Sequence, residues 1–81
     1  MEFKAVIVDE RGEILKAKES DLLGNLWLWT SVNIDATPNI AIIWDTSTKK
    51  IIEITRWKDD FLEWIDPKDM PRAYEIIEDV K

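Results

Sequence analysis

The chain has 81 residues, 46% hydrophobic and 35% charged, with five Trp and a formal net charge of −6. That is one domain (1–81) near the small end of what folds unaided, and the lack of Cys and His excludes disulfides, thiolate catalysis, cysteine-ligated metals and the commonest general base. Nothing approaches the ~20 apolar residues of a membrane span, and charges run through residues 1–20, unlike a secretory signal, so a cytoplasmic location is expected.

Residues 3–8, FKAVIV, are rich in β-branched side chains and predict a strand. DERGE (9–13) supplies turn chemistry, with Asp9 opening the turn and Gly12 free to take positive φ. EILKAK (13–18) then runs back as the second strand of a hairpin. ESDLLGN (19–25) offers Ser20 or Asp21 as an N-cap and Gly24 as a stop, enough for one helical turn. NLWLWTSVNI (25–34) alternates Leu and Trp and predicts a central Trp-rich strand, apolar on both faces. DATPN (35–39) is a connection, since Pro38 lacks an N–H and holds Thr37 extended. IAIIWD (40–45), the polar turn TSTKK (46–50) and IIEITRW (51–57) predict a second hairpin.

Two helical segments are expected to close the chain. In KDDFLEWI (58–65), Asp59 or Asp60 serves as cap, Phe61 and Ile65 share a face, and Asp66–Pro67 ends the helix. DMPRAYEIIEDVK (69–81) has Asp69 as cap, an apolar stripe of Met70, Ala73, Tyr74, Ile77 and Val80, and Arg72, Glu75, Glu78 and Asp79 facing away. The fold class is therefore α+β: an antiparallel sheet of about five strands, made of two hairpins plus the central Trp-rich strand. The two C-terminal helices would pack on one face, leaving the other to curl or to meet a partner. A faint internal echo accompanies this. AVIVD (5–9) aligns with AIIWD (41–45) at an offset of 36, EILKAK with KIIEIT (50–55) at 37, and DLL (21–23) with DFL (60–62) at 39. Two hairpins of Ile and Val resemble each other in any case.

Charge is unevenly spread. Residues 1–58 hold nine acids against eight bases, whereas residues 59–81 hold eight acids against Lys68, Arg72 and Lys81. Such an acidic third argues against direct binding to a phosphate backbone, which needs clustered Lys and Arg. It permits binding to a basic protein surface, and it equally suits a solvated face. The absent Cys and Gln, with 12 Ile and abundant charge, give a thermophile-like composition.

No phosphate loop, glycine fingerprint, nucleophile elbow or zinc spacing occurs, and with two Gly no glycine-rich cradle is possible. Asp9 and Asp45 both end an Ala-initiated apolar run and would approach a hard cation if their ends met; each also suits the first position of a turn. Trp27 and Trp29 suit core or interface packing better than a base-stacking platform, as no basic residue lies in 25–34. Trp57 and Trp64 sit among charges and suit an exposed anchor. The chain thus reads as a small acidic, non-enzymatic protein-interaction module without a cofactor or metal. Its candidate partner-binding residues are Trp57, Asp59, Asp60, Glu63, Trp64, Glu75, Glu78 and Asp79. In one version the acidic face imitates nucleic-acid phosphates and blocks a basic groove. The alternative is a self-associating structural protein, a homodimer through the Trp-rich sheet face. A third reading is a small carboxylate- and metal-dependent enzyme.

Overall fold

β1 (Phe3–Val8), β2 (Ile14–Ser20), β3 (Ile40–Asp45), β4 (Lys50–Lys58) and β5 (Phe61–Ile65) pair antiparallel in the order β2-β1-β3-β4-β5. They belong to a computed structural model that describes residues 2–34 and 39–80. Two helices, α1 (Leu23–Asn33) and α2 (Arg72–Glu78), complete the fold, with a short 3-10 turn at Pro67–Asp69. The α+β class and the five-stranded antiparallel sheet hold, as do both expected hairpins, and the central strand β3 carries Trp44. Of the predicted connection at 35–39, residues 35–38 lie outside the described residues.

Two segments exchange roles relative to the sequence reading. Residues 25–34 are not a strand: they form most of α1. Alternation of Leu and Trp carries no phase when every neighbour is apolar. What decides is that Leu23, Leu26 and Thr30 recur at helical spacing, Leu26 and Thr30 buried and Leu23 partly buried against the sheet side. Ser20 Oγ accepts from Leu22 N (3.1 Å) and Asn25 Nδ2 (3.3 Å) ahead of the first turn. At the other end Thr30, Ser31 and Asn33 side chains donate to the carbonyls of Trp27, Leu28 and Trp29, an end built without Gly or Lys.

Residues 58–65 are not a helix: they complete a third hairpin. Asp59 and Asp60 sit at φ 48° and 73° in a two-residue turn between the paired Lys58 and Phe61. Positive φ at both central positions is the demand of a type I′ turn, and Asp tolerates it. Asp66 caps the 3-10 turn, accepting from Lys68 N at 2.9 Å, so it begins an element instead of ending one.

Of the two C-terminal helices expected on one face only α2 forms, and α1 covers the opposite face. Beneath α2, Ala73 and Ile77 pack with Val6, Val8, Ile42, Trp44 and Ile54, while Met70, Ile76 and Val80 close the margin. Tyr74, expected in that stripe, is exposed. On the other face Leu26 meets Ala5 and Ile43, and Ile34 meets Ile7 and Ala41. Each face of the apolar central strands therefore has its own cover.

The internal echo has a geometric counterpart in the hairpins. Val6 pairs directly with Ile42, the residue 36 further on, so a two-fold axis normal to the sheet at that pair relates hairpin β1–β2 to β3–β4. Both hairpins shift register at the equivalent place, between Ile7 and Val8 and between Ile43 and Trp44, leaving Leu15 and Ile52 as the extra residues. Positive φ falls at the equivalent Gly12 (85°) and Lys49 (60°). Asp9 Oδ1 accepts from Arg11 N and Glu13 N, as Asp45 Oδ1 accepts from Ser47 N and Thr48 N. The third match, 21–23 with 60–62, fails, because one run leads into a helix and the other into a strand.

Candidate functional site

The expected partner-binding residues fall on two opposite sides of the sheet. Trp57 and Trp64 lie on the α1 side: Trp57 packs against the Ile7, Ile34 and Ala41 cluster, and Trp64 pairs with Thr55, itself paired with Ala41. Glu63 is on the α2 side, where its Oε2 accepts from Arg56 Nη2 (2.6 Å) and Nε (3.2 Å). The Arg56 hydrogen bond holds the Glu63 carboxyl below the usual range. Asp59 and Asp60 form the turn at the sheet end, and Glu75, Glu78 and Asp79 are exposed on or just after α2. The acids and the tryptophans thus do not share a surface.

The acidic helix is also less uniform than its composition. Arg72 Nη2 donates to Glu10 O (2.9 Å), tying α2 to the β1–β2 turn. The resulting shallow groove is lined by Arg11, Arg72, Glu75, Ile76 and Asp79.

Asp9 and Asp45 do not converge. Phe3 pairs with Asp45 and Val8 with Ile40, which sets the two carboxylates at opposite ends of the sheet, about 15–20 Å apart at ~3.3 Å per residue. Each serves its own turn. Ser47, through its hydroxyl at 2.6 Å and its amide at 2.9 Å, holds the Asp45 carboxyl below its ordinary value. Among the described residues, no group of three or more His, Cys, Asp or Glu is placed to hold a metal ion.

The α1 side presents what the sequence reading missed. No charged residue occurs in α1, and apolar side chains run round its whole circumference. A helix of that kind is ordinarily enclosed. Here its outer surface leaves Leu28 67%, Val32 70% and Trp27 50% exposed. The helix packs over β1 and β2, and among the described residues no second helix covers the same face of β4 and β5 beside it. On that floor Trp64 is 58% and Leu62 39% exposed, with Ile52, Glu53, Thr55 and Trp57 half-buried. Glu53 is the one charged residue among these six; partial burial pushes its carboxyl up, against a hydrogen bond from the Trp27 side chain. The signal available beforehand was the charge-free run 22–34.

No family model matches this chain, and no curated protein or solved structure matches it either. The site therefore stands on its own geometry: an apolar ridge beside an aromatic floor. No helix among the described residues is long and apolar enough to cross a membrane.

Proposed function

We propose that this chain is a cytoplasmic, non-enzymatic interaction module whose docking surface is the α1 side of the sheet. One observation carries the reading: a charge-free helix with Trp27, Leu28 and Val32 turned outward, next to the exposed Trp64 and Leu62. Scattered apolar residues on a surface are ordinary, whereas a contiguous patch of large ones marks an interaction site. Trp is moreover the residue type that most often dominates interface energies. The acidic residues of α2 face the other way and keep the free molecule dispersed through net charge.

The test is photo-crosslinking in the cell that makes the protein, with p-benzoylphenylalanine replacing Leu28 in one version and Glu75 in another. Adducts through position 28, and none through position 75, support docking on the α1 side. Adducts confined to position 75 overturn it and move the docking surface to the acidic helix.

A further inference from the structure

We infer that the occupant of the α1-side surface is a second copy of this chain, each copy seating its α1 ridge on the β4–β5 floor of the other. The inference rests on reading that side as a docking surface and adds what docks there. Ridge and floor lie side by side on one face of one molecule. A two-fold axis in the contact plane, between ridge and floor, brings each onto its counterpart, which is the self-complementarity an isologous dimer needs. The floor also suits a helix. The pseudo-two-fold axis at Val6–Ile42 relates the hairpin under α1 to β3–β4, with the same bulge and the same inward faces. The seat equivalent to that of Leu26, on Ala41 and Ile7, is filled by Ile34 and Trp29, and the floor is what they leave uncovered on the outer side of that second hairpin, along β4 and β5. A helix like α1 is what the equivalent hairpin already carries.

Area and charge agree with this. At about 150–250 Å² for a fully exposed large side chain, Trp27, Leu28, Val32, Leu62 and Trp64 present roughly 400–700 Å² per copy at their observed exposures. The half-buried Trp57 and Ile52 and the intervening backbone add to it, approaching the ~800 Å² per partner of a standard interface. Two chains of net charge −6 repel, and a contact that sets no acid against acid keeps that cost low. The helix itself has no charge, its charged neighbours are the basic Lys18 beside Leu28 and Val32 and Lys16 on Asn33, and Glu53 on the floor is engaged by Trp27. The acidic α2 surfaces would point outward on opposite sides of the dimer, separated by several packed layers and so by more than the Debye length of about 8 Å.

The experiment uses the purified full chain. Sedimentation over a wide concentration range should give a dimer that dissociates on dilution. Leu28→Glu and Trp64→Glu should each raise the dimer Kd on the order of a hundredfold or more, because each puts two unpaired carboxylates into the contact. Tyr74→Glu, on the α2 side, should leave it unchanged. In case the charged variants fail to fold alone, cysteines read the arrangement without a charge change, as the native chain has none. A mixture of Leu28→Cys and Leu62→Cys should form the mixed disulfide in preference to either homodisulfide. A preference for the Leu28→Cys homodisulfide would replace ridge-on-floor with ridge-on-ridge and overturn the geometry. A monomer at every concentration, joined to a different protein through position 28 in cells, would overturn the second copy while leaving the docking surface. A monomer with no such adducts would overturn both.

Discussion

Trp44 offers the sharpest test of the packing. It is fully buried in the central strand and packs with Val6, Ile42, Ile51 and Ile54 under α2, yet its Nε1 has no hydrogen-bond acceptor among the described residues. Trp44→Ala removes the whole ring and should cost about 3–5 kcal/mol. A domain of 81 residues holds about 4–12 kcal/mol in all. At about 4–8 °C per kcal/mol for this size, Tm should fall by about 12–40 °C. Trp44→Phe behaves differently. It leaves a smaller void, and it deletes a donor whose burial without a partner costs about 1–3 kcal/mol. The two effects oppose and should leave that variant within about 1.5 kcal/mol of the parent. Urea unfolding followed by far-ultraviolet circular dichroism measures both, avoiding fluorescence because one of the five emitters is changed. Protein concentration is held fixed, since association adds to apparent stability. If Trp44→Phe costs as much as Trp44→Ala, the indole N–H has a partner and the reasoning fails. If Trp44→Ala costs under about 1 kcal/mol, α2 does not close this face.

Replacing Asp59–Asp60 by Asn–Gly should raise stability by a few tenths to about 1 kcal/mol, read as a Tm increase, because Asn–Gly meets positive φ at both positions more readily; a loss would refute the turn geometry. Glu53 has a folded-state pKa raised by burial. Its contribution to stability is therefore greatest below the unfolded pKa and is lost as pH rises through the folded one. Glu53→Gln should accordingly raise Tm at neutral pH and not at acid pH, and thermal melts at both values decide it. Deleting residues 69–81 should uncover Val8, Ile42 and Ile54 and give an aggregating, dye-binding product, whereas a soluble, well-folded truncation would show α2 to be an appendage. Reversing Glu75, Glu78 and Asp79 to Lys should leave the fold nearly intact, as exposed charges contribute little each, and, by taking the net charge from −6 to about zero, should tighten self-association if it changes it at all. A loosened dimer in sedimentation would implicate α2 in self-association.

The parts of this fold written in local chemistry were legible. FKAVIV with Asp9 and Gly12 announces its hairpin, and Ala73 and Ile77 sit on the predicted inner stripe of α2. The two exchanged segments failed for different reasons. In residues 25–34 apolar side chains occupy nearly every position, so neither a period of two nor of 3.6 stands out, and the sheet selects among the possible faces. In residues 58–65 the Asp pair suits a helix start as well as a type I′ turn. There Leu62 and Trp64 on one side, against Glu63 bonded to Arg56 on the other, match a strand. The candidate residues were legible as types and not as a surface, because strand pairing turns Trp57 and Trp64 to one face and Glu63 to the other, while Asp59 and Asp60 form the turn and Glu75, Glu78 and Asp79 belong to α2 and its end.

The pairing of two similar hairpins through β1 and β3 also bears on how the chain reaches this state. Each hairpin closes a short loop, an event of microseconds. The β1–β3 seam instead joins residues such as Val6 and Ile42, and the loop-closure entropy of that separation falls due before its contacts form. Two preformed hairpins meeting edge to edge would settle Val6 on Ile42 as one collision, with α1 tethered to the strands on both sides of the seam. Core substitutions on that seam should then slow refolding, while those in β5 should mainly quicken unfolding.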